Sequence, residues 1–133
     1  MLNLANPKPV PPGGDLDQTA FEVVARDHER FLSGSGGRRA ILRFAKGSGL
    51  DARSRLLNEA DLTGADLTGG YFAGCHLESA SLQCADLSGF DLRAANLKRA
   101  DLRGARLAGA TLNGAMLDEA DMAPFSEIGR AHV

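Results

Sequence analysis

The residues of this chain with the chemistry to react are two cysteines, three histidines and a recurring series of carboxylates. Cys75 is followed at once by His76, and a thiol beside an imidazole is the beginning of a nucleophile and base pair. Adjacent side chains on an extended segment leave on opposite faces, however, so this pair diverges. Two isolated cysteines, Cys75 and Cys84, make no zinc site. Asp61, Asp66, Asp86, Asp91, Asp101 and Asp121 could be imagined as paired carboxylates for hydrolysis, but a solvated face that also hydrogen-bonds turn backbone is the simpler use. His28 belongs to a helical apolar stripe and His132 to the last residues of the chain. No phosphate loop, dinucleotide fingerprint or metal motif occurs. No catalytic residue, metal ligand or cofactor site is therefore assigned, and the chain reads as a protein that is not an enzyme.

What holds these residues is a repeat. From Ala60 the sequence runs ADLTG, ADLTG, GYFAG, CHLES, ASLQC, ADLSG, FDLRA, ANLKR, ADLRG, ARLAG, ATLNG, AMLDE, ADMAP, thirteen units of five without an insertion. The third position is Leu62, Leu67, Phe72, Leu77, Leu82, Leu87, Leu92, Leu97, Leu102, Leu107, Leu112, Leu117 and Met122; the first is Ala in ten units and the fifth is Gly in seven.

A helix advances about 100° per residue, so a leucine at every fifth position would be scattered around the cylinder. A continuous strand fails because five is odd, and successive leucines would alternate faces. A short extended segment followed by a bend satisfies the pattern. Positions one and three then point inward, two and four outward, and the fifth sits where glycine's backbone freedom is useful. Windings stacked at about 4.8 Å give each backbone group a partner.

These units resemble the pentapeptide-repeat family, A-(D/N)-L-x-x, over 60–124, about half of the chain. The resemblance implies an all-β fold, a right-handed four-sided β-solenoid with four units per coil. Residues twenty apart are then stacked neighbours. Phe90 would lie between Gly70 and Ala110, one bulky residue between the smallest partners, as close packing requires. Outside, Glu78, Lys98 and Asp118 would form one column and Asp66, Asp86 and Arg106 another. Cys75 and Cys84 would stand about two corners apart, too far for a disulfide. The thirteen third-position side chains are the expected core.

Counted backward, AILRF, AKGSG, LDARS and RLLNE are degenerate repeats, so a first coil is expected over 40–59. With Gly47 and Ala52 in core positions, this coil is expected to bury least and to be the softest part. Residues 1–14, with four of the five prolines, are expected to be a disordered tail. Over 15–34, Phe21, Val24, Ala25, His28, Phe31 and Leu32 make one helical face, with Thr19 and Glu22, or Asp15 and Gln18, as start signals and Gly34 as stop. This helix is read as a cap over the open end of the solenoid. The final Ile128-Gly129-Arg130-Ala131-His132-Val133 looks like a translated sequencing adapter, so 125–133 is read as a non-native tail on a truncated gene. The last coil would then lack a cap and could self-associate.

At 133 residues the chain is one domain. No apolar run approaches the roughly 18 residues of a membrane span, no export signal is visible, and cysteine usage fits the reducing bacterial cytoplasm. Aromatics are 5% without Trp, and 15 Lys and Arg face 17 Asp and Glu, which argues against nucleic acid. The repeat carries nine acidic and five basic residues. The five, Arg93, Lys98, Arg99, Arg103 and Arg106, would spread around one coil as a belt, a candidate contact for an acidic partner. The expected function is a non-catalytic scaffold for a protein partner. The alternative implied by the resemblance is a DNA mimic that binds the bacterial type II topoisomerase gyrase, disfavoured by the basic belt and the roughly 20 Å length of about four coils.

Overall fold

The computed structural model describes residues 9–124. From residue 40 onward the chain winds into stacked coils, and its parallel bridges join residues twenty apart: Ile41, Asp61, Ser81, Asp101 and Asp121 on the first side, and Lys46, Asp66, Asp86 and Arg106 on the second. Asp51, Tyr71, Asp91 and Thr111 make the third side; Leu56, His76, Asn96 and Met116 make the fourth. Four quintets therefore close one coil. Each side makes a single bridge, and among the described residues no strand longer than that forms.

The turn explains why. The first-position N–H donates to the third-position carbonyl of the preceding quintet, as in Ala85 N to Leu82 O at 3.1 Å. The fifth position between them has positive φ at each quintet from Phe44 to Glu119. A left-handed residue at the third place of a four-residue turn is the type II geometry, which favours glycine. Eight of these corners are not glycine, Ala94 (φ 59°) and Cys84 (φ 57°) among them. Second-, third- and fifth-position N–H groups donate along the stack, as in Asp101 N to Ala80 O at 2.9 Å, Leu82 N to Asp101 O at 2.7 Å and Cys84 N to Arg103 O at 2.9 Å.

First and third positions fill the interior. From Leu62 to Leu102 every third-position side chain is at most 3% exposed. Phe90 lies between Gly70 and Ala110 in its column, as expected. A Cβ on Gly70 would fall 2.8 Å from both the Phe72 and the Phe90 ring. The last coil departs from the expected core: Leu107, Leu112 and Leu117 are only partly buried and Met122 is 45% exposed. Among the described residues no coil stacks beyond them, so one side of each faces solvent.

The other end is closed. Helix α1, Gln18–Leu32, is N-capped by Asp17, whose side chain accepts from Ala20 N, and not by the expected Thr19 or Asp15. Its buried residues are Phe21, Ala25, Asp27 and His28. Phe31, placed on the buried face by periodicity, is 39% exposed. The chain then reverses so tightly that a Cβ on Gly37 would meet Asp27 O at 2.2 Å.

The first coil needs correction as well. It is not loosely packed: Leu42, Ala45, Leu50, Ala52 and Leu57 are all at most 2% exposed. Leu16 covers the vacancy at Gly47, where a Cβ would lie 2.7 Å from Leu16 O and 3.2 Å from Leu16 Cβ. Phe21 comes down over the column of Ala52 to within 6.4 Å of the Phe72 ring. Residues 9–14, expected within a disordered tail, are part of this closure. Pro11 to Gly14 form a turn (Gly14 N to Pro11 O, 2.9 Å), and Gly13 N donates to Arg43 O at 3.2 Å.

The closure replaces a missing coil bond by bond. On the second side, Asp15 bridges Lys46 in parallel, Leu16 N donates to Lys46 O and Lys46 N to Gly14 O. Over the third side, the Gln18 amide takes both backbone groups of Asp51, at 2.8 and 2.9 Å. On the fourth, Glu29 accepts from Leu56 N at 3.3 Å and His28 engages Asn58 O at 2.7 Å. An edge that would otherwise offer unpaired backbone is satisfied by a segment and three side chains.

Candidate interaction surface

The outward side chains at positions two and four form straight columns, because each sits one coil above its counterpart. Position two is chemically active toward its own turn. Asp61, Asp66, Asp86, Asp91, Asp101 and Asp121 each accept from the backbone N–H two residues on, so these carboxylates brace the corner.

Where position four is Arg, the pair closes further. Asp51 with Arg53, Asp91 with Arg93 and Asp101 with Arg103 make two-point guanidinium–carboxylate contacts at 2.7 to 3.0 Å. The Arg53 hydrogen bond holds Asp51 down at about 2, and Arg93 does the same for Asp91. Arg103 lowers Asp101 likewise. The signal for these clips, Asp-x-Arg on one face of an extended segment, is present in the sequence and was not read from it. Asp61 is buried; burial opposes its ionisation, but hydrogen bonds from Thr63 and Arg43 outweigh it and lower its pKa.

The five bases do encircle the solenoid. Arg103 lies on the first side, Arg106 on the second, Arg93 on the third and Lys98 on the fourth, with Arg99 at a corner. Three are partnered within 4 Å, Arg93 by Asp91, Arg103 by Asp101 and Arg99 by Glu78. Glu78 thus pairs with Arg99 and Asn96, not with the Lys98 expected in its column. Arg106 and Asp86 are stacked neighbours in one column, joined by a backbone bridge. On the third side Tyr71 stands 54% exposed between Asp51 and Asp91 of the neighbouring coils.

Cys75 and His76 do diverge: Cys75 is fully buried and His76 exposed. Burial pushes the Cys75 thiol up to about 12, and it donates to Arg55 O at 3.4 Å. A thiol held protonated there is no nucleophile. Cys84 is a free, exposed corner residue.

Arg55 also reaches up to α1, where it pairs with Glu22 and, at 3.3 Å, with Glu29. Asp27, buried at 7% exposure, accepts from Arg38 N at 3.0 Å. Neither role had a periodic signal in the sequence.

A family model of pentapeptide repeats matches residues 56–93 and 95–123, in eight copies. This chain belongs to that family. Solved pentapeptide repeat proteins resemble it. HetL, involved in heterocyst differentiation regulation in the cyanobacterium Nostoc sp. strain PCC 7120, is 24% identical over 82% of this chain and 47% of its own, with TM-score 0.44. A pentapeptide repeat protein of the Arabidopsis thaliana thylakoid lumen is 26% identical over 71% and 74%, TM-score 0.39. Another from Nostoc PCC 7120 is 32% identical over 74% of each chain, TM-score 0.33. The chain spans about half the length of HetL. No curated protein matches it. Among the described residues of this pentapeptide-repeat protein, no helix is long and apolar enough to cross a membrane.

Proposed function

We propose that this pentapeptide-repeat protein is a non-catalytic scaffold that presents its outward columns to a protein partner in a reducing bacterial cytoplasm. The observation that carries this reading is the alignment of second-position side chains into bridged columns over successive coils. A partner meets a stiff surface of fixed pitch, and little ordering entropy is lost on contact. Exposed Tyr71 beside Arg53 and Arg93 has the composition of binding hot spots, and Lys98 and Arg106 supply the less neutralised part of the belt. The half-open leucines of the last coil favour self-association at that end. The belt's clipped arginines weigh against DNA mimicry, which calls for unneutralised acidic columns.

The test compares capture of proteins by the wild type, by Tyr71→Ala and by Lys98→Glu/Arg106→Glu, after melting curves have shown all three folded. A partner held by the wild type and released by either variant supports the reading. One retained equally by all three overturns this choice of surface. Inhibition of gyrase supercoiling by the purified chain would favour the mimic instead. Sedimentation of the wild type against Leu112→Lys reads self-association at the last coil.

A further inference from the structure

We propose that the seating of α1 on the first coil is an acid-labile latch whose titrating element is His28. The imidazole is 0% exposed and spans the two elements. Ala40 N donates to its Nδ1 at 2.8 Å. A backbone N–H can only donate, so Nδ1 carries no proton; Nε2 carries it and donates to Asn58 O at 2.7 Å. Both ring nitrogens are thereby committed, in one tautomer of the neutral ring, to backbone of the first coil.

A second proton would have to enter at Nδ1. It would face the Ala40 N–H across 2.8 Å, turning a hydrogen bond into two opposed donors and placing a charge in a buried junction. Protonation thus removes a contact by which α1 is seated on the first coil. The α1 carboxylates beside the ring are engaged elsewhere. Glu29 of α1 is occupied by Arg55 and Leu56 N, and the neighbouring Asp27 by Arg38 N, with Arg30 and Arg38 near it. From the coil, Glu59 favours the charged ring and Arg39, whose Nε donates to Glu59 O, opposes it. Phe31 packs on the ring at 5.6 Å. Burial outweighs the rest and pushes His28 below its ordinary 6.5.

Release is local, because the later coils keep their own ladder of backbone bonds. It would uncover Leu42, Leu50 and Leu57 and free the edge groups of Asp51, Leu56 and Asn58. The surface so exposed is an unpaired parallel edge, the kind that adds a strand or a second chain. The glycine-rich 33–37 turn, Ser-Gly-Ser-Gly-Gly, links the released helix to the coil.

Hydrogen exchange of the α1 amides in the full chain, corrected for intrinsic rates, reads the latch between pH 7.5 and 5. Opening is expected to rise up to tenfold per pH unit below about 6.5, while amides of residues 80–100 keep their protection. His28→Gln offers an amide oxygen and N–H to the same two partners without titrating, and its α1 exchange should be flat with pH. Should that variant not seat the helix, imidazole NMR of the wild type decides: His28 should titrate together with loss of Ala40 N–H protection. Constant α1 protection down to pH 5, or the same pH dependence in a seated His28→Gln, overturns the proposal.

Discussion

Phe72 and Phe90 stack inside the solenoid with ring centroids 4.6 Å apart and planes inclined by 24°, and Gly70 lies against both rings. The two belong to different columns, yet neither could take its place if residue 70 carried a Cβ. Gly70→Ala should therefore destabilise by about 1 to 3 kcal/mol, the usual effect of overpacking a full interior. Phe90→Ala should cost about 3 to 5 kcal/mol through the cavity it leaves. Chemical denaturation measures both, and an unchanged midpoint for Gly70→Ala would contradict the packing described.

Corners give a second prediction, with opposite signs at two positions. Ala94 occupies a left-handed corner at φ 59°, where an L side chain costs about 1 to 2 kcal/mol. Ala94→Gly removes that strain at the expense of a more flexible unfolded chain, about 0.4 to 1 kcal/mol, so a small net gain is expected. Gly89→Ala, at φ 70° with only ordinary contacts 3.8 Å away, should lose about 1 kcal/mol from backbone strain alone. Thermal midpoints moving in the same direction for the two variants would refute the account.

The core is asymmetric along the stack, and charge substitution exposes this. Leu97 is 0% exposed, so Leu97→Asp buries an unpaired carboxylate at a cost of several kcal/mol and should abolish cooperative unfolding. Leu117 occupies the same repeat position one coil later but is only partly buried. Its replacement by Asp should lower the midpoint by a few degrees. Equal damage at the two sites would mean that the last coil is covered.

Acid should act on the Asp–Arg clips in a defined window. Asp51 and Asp91 are held at about 2 in the folded protein, against an ordinary 3.8. Between these values the unfolded chain binds the proton first, so stability is present above about pH 4 and is lost as pH falls toward 2. Both groups are near the surface, which makes the effect small and salt-sensitive. Arg93→Gln should reduce the acid dependence of the midpoint measured at low ionic strength; an identical profile in wild type and variant would remove any role for the pair.

Much of this molecule was legible before its structure. A period of five with leucine at the third place calls for a chain that bends after each quintet; that four quintets close a coil was implied by the family resemblance, and Phe90 between Gly70 and Ala110 agreed with it. The Asp clips were half legible: solvated carboxylates bracing turns were expected, but their arginine partners two residues on were passed over for partners one coil away. Asp27 and His28 were illegible in their roles, since a buried acid and a doubly engaged imidazole follow no period.

A repeated contact writes itself into the amino-acid order, because every coil imposes the same demand at the same interval. That is why sequence alone determined the winding, the aliphatic interior and the outward columns. The closure is made once. Leu16 over Gly47, Gln18 on Asp51 and His28 between Ala40 and Asn58 are single contacts between segments 12 to 33 residues apart, and only the folded chain brings them together. The tertiary structure therefore decided how the capped end is sealed, as the free backbone of an edge is satisfied by whatever neighbouring segment can reach it.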